Sequence, residues 1–521
     1  MAKGDLKHYQ VFDFRQGLDI SAAPLTLTAA RAQTALVKAE NCTYTLSGGV
    51  GRRLPPFRLT GFSQTYAITG GTQYRKSTGL REIVMGTDNG QILRLNPDDT
   101  VTVLASGLTS GTRWYFVTYN DKLIICNRAD TPRYYDGTTI TVLTGTYLPT
   151  QGGPVAVHGN RVFMLDATNR STVAFSALNA ETDWSTANNA GTFLVNPNDG
   201  SDAINLVPGI NELFIIKGLK PYRLQGTSPS TFTIANVVNT TGSQGGVSHH
   251  GALFAGNEVY YLASVGLVSI STVIYFGDLR AADASDKINP YFRPNSAYTL
   301  SIQSLDAAVM ADDPHNQWLY VAVDTNGDRL NDVMLVYDRR LKAWSTFSGA
   351  EEPITALWPV TNAQTGITEI YEATWLIASA LSRLRILNRK DTSLTFTAEA
   401  RHLSALGAPG LEKSLRHAYL YFEERGSHTV TLDVRTDGAV SVSTTYGVSM
   451  LGASKTLGVN WTLGTDPLGA RSTIAKRVNL SGIAEFVSLS VKNSASGSQQ
   501  AWVWQGYEVL WRPRRLVRRG A

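Results

Sequence analysis

The segment Asp324-Thr-Asn326-Gly-Asp328-Arg-Leu-Asn331-Asp332 opens like a calcium loop, with carboxylate and amide oxygens at alternate positions. A helix–loop–helix calcium site needs glycine at its sixth position and a bidentate glutamate at its twelfth. Arg329 and Leu335 stand there instead, so a long polar hairpin turn is the better reading. Asp312, Asp313 and His315 bracket Pro314 and could work as an acid/base group, but they directly precede the strand at Trp318 and read as a solvated turn. His249 and His250 are adjacent, which on a strand would send them to opposite sides, so they do not suit one metal ion. They end a polar, glycine-rich stretch from Thr240 that reads as a loop. Cys42 and Cys126 have no metal-ligand spacing and are too few for a disulfide framework; they read as buried free thiols. The chain contains no phosphate-cradling glycine loop, zinc-helix motif, nucleophile elbow or Ser-x-Asp-x-Gly-x-x-Trp box. The sequence therefore argues for no catalytic group, no metal and no cofactor. A propeller glycosidase would need paired carboxylates on one ring face, a placement that sequence alone does not give.

The elements around these groups are more informative. Seven times an apolar strand runs into a turn and a second strand: at Ile83, Leu123, Val162, Leu213, Val259, Leu319 and Trp375, with successive starts 40, 39, 51, 46, 60 and 56 residues apart. Four-stranded propeller blades recur at about 40 to 50 residues. Turn pairs accompany the strands, among them Asn89-Gly90, Asp136-Gly137, Gly159-Asn160, Gly256-Asn257 and Asn326-Gly327. The chain reads as all-β, with a β-propeller of about seven blades over residues 61–395. The longer gaps are where inserted loops are expected.

The flanks break this rhythm. Residues 1–60 offer one short helix around Ala29 to Ala39, then a Gly- and Arg-rich turn ending in Pro55-Pro56. From 396 to 521, Val430, Leu432 and Val434 alternate with polar residues, as do Val487, Leu489 and Val491. One apolar and one polar face indicate a half-buried antiparallel sheet, hence a β-sandwich-like platform that the N-terminal segment joins. Trp502 and Trp504 lie in one phase and Tyr507, Val509 and Trp511 in the other, so a bulge is expected at Gly506. Such aromatic strands are candidate interface material, although core packing is their commoner use.

The net charge of +5 does not describe a basic face. Arg512, Arg514, Arg515, Arg518 and Arg519, against Glu508, account for +4 of it. This tail could meet nucleic-acid phosphates, pair with carboxylates of a neighbouring subunit, or remain solvated. No stretch reaches the roughly 18 apolar residues of a membrane span, so no membrane insertion is expected. The opening Met-Ala-Lys-Gly-Asp-Leu-Lys lacks the apolar core of a signal peptide, and the expected place of synthesis is a reducing cytoplasm.

Two stretches resemble a known family. Ala39-Glu40-Asn41-Cys42-Thr43-Tyr44-Thr45-Leu46-Ser47-Gly48-Gly49-Val50-Gly51-Arg52-Arg53-Leu54-Pro55 is similar to the N-terminal signature of tail nozzle proteins of short-tailed phages, also called tail tubular protein B or packaged-DNA stabilisation proteins. Within it, Asn41, Gly48, Gly49, Arg52 and Arg53 carry the likeness; Leu54-Pro55-Pro56 departs from the family's glycine followed by arginine-proline. Gly245-Gly246-Val247-Ser248 and the strand pair from Val259 to Ile270 resemble a mid-chain pattern of the same group. The resemblance implies a structural, non-enzymatic virion protein of the phage tail, made in the host bacterial cytoplasm. It implies a homohexameric ring around a DNA channel, with a peripheral propeller and a β-rich platform in each subunit. Its implied partners are a portal-bound tail adaptor, tail fibres or spikes, and genomic DNA passing without sequence preference. Lumen loops would close the channel, but the sequence names no gating residue. The rival readings are a receptor- or glycan-binding tail propeller and a propeller hydrolase or lyase acting on polysaccharide.

Overall fold

The computed structural model describes residues 5–21, 34–237, 245–272, 279–293, 301–348, 353–390, 395–408, 410–423, 428–437, 442–450, 473–496 and 501–516. Almost all regular structure there is β, with three short 3₁₀ turns. The chain forms two compact units: residues 57–334 with 350–388, and residues 1–56 with 335–349 and 389–521.

The first unit is a β-propeller. Its first blade runs Ile68–Arg75, Arg81–Thr87, Ile92–Leu95 and Val101–Ala105 in simple antiparallel succession. Four more blades repeat this order, with inner strands Tyr115–Tyr119, Gly152–His158, Ala203–Pro208 and Ala252–Ala255. A sixth begins with Ile354–Thr361, and its fourth strand, Pro56–Arg58, comes from ahead of the first blade. Six four-stranded blades thus form, where the strand–turn–strand rhythm gave about seven. The unit at Leu319 is not a separate four-stranded sheet: Ser304–Asp313 and Trp318–Asp324 open a nine-stranded sheet that runs on through Val333–Asp338 and Ala343–Phe347, and its first strand stands between those of Ala252–Ala255 and Ile354–Thr361. Residues 335–349, which carry most of its third strand and all of its fourth, belong to the other compact unit.

Strand alternation explains how a run such as Leu-Ile-Ile-Cys can be apolar throughout. Leu123 and Ile125 pack on Tyr74 and Val84 of the preceding blade, while Ile124 and Cys126 pack on Val162 and Met164 of the next. Each blade buries both faces, and neither could be buried alone. The ring is joined between its last and first blades by Trp358, Tyr371 and Leu384 packing with Ile68, Met85 and Leu93. Thr355 Oγ1 also donates to Ile68 O at 2.6 Å, and Gln73 Nε2 to Thr361 O at 2.9 Å. The first blade fits closely between two indoles: a Cβ at Gly71 in its first strand would lie 2.6 Å from Trp358, and one at Gly86 in its second strand 2.1 Å from Trp114.

The second unit is built on two sheets. One has the order Thr473–Asn479, Leu411–Glu423, Val503–Leu516, Val50–Arg52, Cys42–Tyr44, with Lys7–Val11 also beside Val503–Leu516. The other contains Ala343–Phe347, Lys38–Glu40, Thr395–Ser404, Val487–Ser496, Thr429–Thr436 and Thr444–Ser449, in that order. Tyr507 of the first meets His402 of the second, 2.8 Å from its oxygen to Nδ1, and Phe14 packs on both Trp504 and His402. The expected bulge is present: Tyr421 pairs Gly506 and Phe422 pairs Trp504, which skips Gln505. That extra residue brings both aromatic phases to the core, where Trp502, Trp504, Tyr507, Val509 and Trp511 are all buried. These side chains are core, not interface.

Two expectations for this unit fail. Residues 34–39 are not helical: Ala35–Leu36 pairs in parallel with Gly17–Leu18, and Lys38–Glu40 pairs with Thr395–Ser404; residues 29–33 lie outside the described residues. The polar face of the alternating strands is not simply solvated either. Asp433 and Ser490 are fully buried there, in a ladder where Lys492 meets Asp433 at 2.5 Å, Ser490 donates to Glu399 at 2.6 Å, and Lys38 bridges Glu399 and Glu40. Long charged side chains cover this face and pair across it.

Candidate functional site

The inner strands of the propeller enclose an axial cavity of about 300 Å³. Every inner strand contributes to its wall, from Thr69 and Gly70 of the first blade to Trp358 of the last. The segment 245–250 enters from the connection between the fourth and fifth blades. Gly246 N donates to Lys217 O at 3.0 Å, Val247 N to Leu262 O at 3.1 Å, and Ser248 Oγ to Ala308 O at 2.6 Å. This anchoring sets His249 and His250 in the cavity wall.

The two imidazoles have separate environments. His249 Nδ1 lies 2.7 Å from the Ile204 carbonyl and 3.0 Å from Arg128 Nη1. With its proton given to the carbonyl, that nitrogen cannot also accept from the guanidinium. Burial, and then the Arg128 charge, push His249 down to about 4. His250 stacks on Tyr115 with centroids 4.5 Å apart and planes 11° from parallel. Its pKa is held well below the ordinary histidine range by burial first, then by Arg113. Both rings are therefore neutral at pH 7. Arg128 itself sits at φ +66°, a backbone region uncommon for a residue with a Cβ. No Asp or Glu lines the cavity.

The sequence assigned these histidines to a loop, which they occupy, and gave no sign of the cavity. Only closure of the ring brings residues near 69, 115, 205, 250, 309 and 358 together, and no local spacing encodes that. The two histidines do not converge, and among the described residues no group of three or more His, Cys, Asp or Glu could hold a metal ion.

The other singled-out residues resolve locally. Asp324 is fully buried and its carboxylate accepts the backbone N–H groups of Asn326, Gly327 and Arg329 at 2.7–2.9 Å. It organises a hairpin turn. Asp313 likewise accepts from His315 N and Asn316 N, both at 3.1 Å. Cys42 and Cys126 are buried free thiols, and burial pushes both pKa values up.

The signature residues form a cluster in the second unit. Asn41 adopts φ +53°, and its amide donates to Ser348 O at 2.8 Å and Thr397 O at 2.7 Å while its oxygen accepts from Arg53 Nε at 2.8 Å. Asparagine suits this place because it tolerates left-handed backbone and offers both donors and acceptor. The Arg53 guanidinium lies 4.6 Å from the ring centres of Phe347 and Phe396, and that of Arg52 lies 4.4 Å from Phe396. Both arginines are buried. Gly48 takes φ +97° in the turn joining Cys42–Tyr44 to Val50–Arg52, and Gly49 N donates to Thr45 Oγ1 at 2.8 Å.

The C-terminal arginines do not start a free tail at 512. Arg512, Arg514 and Arg515 belong to the strand Val503–Leu516, where Arg512 pairs with Ser414. Arg512 is half-buried and Arg514 exposed, while Arg518 and Arg519 lie outside the described residues. Among the described residues no helix is long and apolar enough to cross a membrane.

No protein family and no curated protein matches this sequence. Among solved structures, the chain is similar to "YCF48 bound to D1 peptide", with a TM-score of 0.41 and 11% identity over 65% of this chain and 96% of that one.

Proposed function

We propose that this chain is a structural virion protein, the nozzle of a short-tailed phage, with six copies forming a ring that retains packaged DNA before ejection and conducts it afterwards. The observation that carries the reading is the role of the signature residues. Asn41, Arg52 and Arg53 tie residues 38–53 to strands some 300 to 350 positions away in sequence, through Thr346, Ser348, Phe396 and Thr397, while Gly48 shapes the turn between them. A likeness at residues that fix the architecture says more about kinship than a likeness among surface glycines.

The propeller itself is not the conduit. A cavity of about 300 Å³ has the size of a small-ligand pocket and admits no duplex. A DNA channel therefore has to lie between copies, in a ring made by heterologous contacts of identical chains. The near neutrality of the chain outside its C-terminal arginines suits passage, since a strongly basic lining would hold DNA. The adaptor, the fibres and the genome are the partners this reading requires. The hydrolase or lyase alternative has no carboxylate pair in the cavity wall to work with.

Native mass measurement of the purified chain, alone and with a tail adaptor ring, tests the proposal. Six copies per particle are expected in at least one condition, and a strict monomer in both would refute it. Removing residues 517–521 should leave folding intact and impair ring formation; undiminished rings would assign the last arginines no part in assembly.

A further inference from the structure

We propose that the axial cavity of the propeller binds a small oxyanion, the carboxylate or phosphate group of a compact ligand, through Tyr115, His250 and Trp358 backed by Arg128. The inference is independent of the nozzle reading and rests on an imbalance of donors over acceptors. Trp358 Nε1 and His250 Nε2 are both buried without a hydrogen-bond partner. Buried donors are nearly always satisfied, and a group left without an acceptor is costly. Trp358 is an N–H donor only, and neutral His250 can place its single N–H on Nε2, so one acceptor can satisfy both.

Charge points the same way. Arg128 stands one layer behind the wall, against His249 Nδ1 and bonded to the Tyr115 hydroxyl, which leaves the phenol proton for another acceptor. Arg113, next to Trp114 and close enough to depress His250, has Nη1 buried without a partner. Asp306, an acid near Arg113, is engaged by Arg329. With no Asp or Glu in the wall, two guanidinium charges act on the cavity without a lining carboxylate to oppose them. Low-dielectric walls of Trp114, Phe116, Leu206, Met310 and Trp358 strengthen that field. A cation would be repelled and an apolar ligand would leave the donors unpaired; a compact oxyanion answers both.

Isothermal titration of the full chain with inorganic phosphate, and separately with acetate, against sodium chloride of equal ionic strength tests this. Saturable binding of at least one oxyanion is expected. Arg128→Met and His250→Phe, the latter keeping a ring on Tyr115, should each weaken it about tenfold, as for loss of one charge-assisted hydrogen bond. Phosphate alone binding would identify a tetrahedral group, acetate alone a planar one, and either supports the site. No saturable binding by the unaltered chain, or full affinity in both variants, overturns it. Where a variant fails to fold, hydrogen–deuterium exchange on the unaltered chain decides: phosphate or acetate should protect residues 113–116 and 245–250, and the absence of such protection overturns the proposal.

Discussion

Replacing Gly86 by alanine should destabilise the propeller by far more than one methyl group ordinarily does. A Cβ built there would lie 2.1 Å from Cγ of Trp114 and 2.3–2.4 Å from its neighbours in the indole. Carbon atoms pack at about 3.5–4.0 Å, so the ring or the strand must move by roughly 1.5 Å. The indole is held in place: Trp114 is 3% exposed, and its Nε1 donates to Thr87 O at 2.9 Å. Overpacking of this kind costs about 1–3 kcal/mol, and a weakened buried hydrogen bond about another 1. The alanine recovers up to about 1 kcal/mol by restricting the unfolded chain. A net loss of about 2–3 kcal/mol follows, measured by urea unfolding followed through tryptophan fluorescence. Gly218→Ala is the control, since its Cβ would meet nothing closer than Ser201 at 3.7 Å, and it should change stability by less than about 1 kcal/mol. The mechanism also predicts coupling: in a Trp114→Ala background the Gly86→Ala cost should vanish. An equal cost in both backgrounds, or a Gly86 variant no weaker than the control, would refute the reasoning.

Three further outcomes are expected. Lys217→Met should cost about 3 kcal/mol in the same assay, because the buried ammonium donates to Asp199 at 2.8 Å, Val195 O at 2.8 Å and Asn196 O at 3.0 Å, and its removal strands the carboxylate. Asp199 should also shape the acid limb of stability. Burial alone would raise its pKa, but bonds from Lys217, Ser201 and Tyr222 hold it at about 2. A lowered folded pKa contributes stability above the unfolded value near 4 that is lost as pH falls towards 2; the part due to Asp199, about 2 kcal/mol, should be missing from an Asp199→Asn protein titrated from pH 5 to 2. Asn41→Ala should lower the stability of the second unit by about 2–4 kcal/mol, since it removes bonds to Ser348, Thr397 and Arg53 and leaves a Cβ residue at φ +53°; Asn41→Gly should recover the backbone part only.

What the sequence made legible was whatever is decided within a few residues. The apolar runs at Ile83, Leu123, Val162, Leu213 and Val259 are blade strands, and the phase change at Gly506 is a bulge. What it hid was decided by distant partners. Nothing near Leu319 tells that its hairpin joins the inner ring while residues 335–349 belong elsewhere, so a count of repeats overstates the four-stranded blades. Lys38 and Ala39 close the stretch from Ala29 that looks helical in isolation, and they are strand because Thr395–Ser404 pairs with them from far along the chain. The alternating strand at Val430–Val434 shows its apolar face plainly, yet the opposite face is buried too, through pairs such as Arg435 with Glu399 and Lys492 with Asp433 that join distant strands.

The same principle governs how the arginines bear on DNA. Sequence does not tell which arginines can meet a polyanion, because a guanidinium is also the cation that stacks best on aromatic faces. Arg52 and Arg53 lie on Phe347 and Phe396 and have no reach for phosphate. Arg512 is held in a strand beside Leu411–Glu423. The charge left to meet a polyanion is therefore smaller than the composition states, and a conduit built of such subunits would act through the width of its bore rather than through attraction. Salt dependence separates the two cases. A charged lining would lose affinity for DNA steeply with added salt, whereas a near-neutral lining should give weak binding with a shallow salt slope.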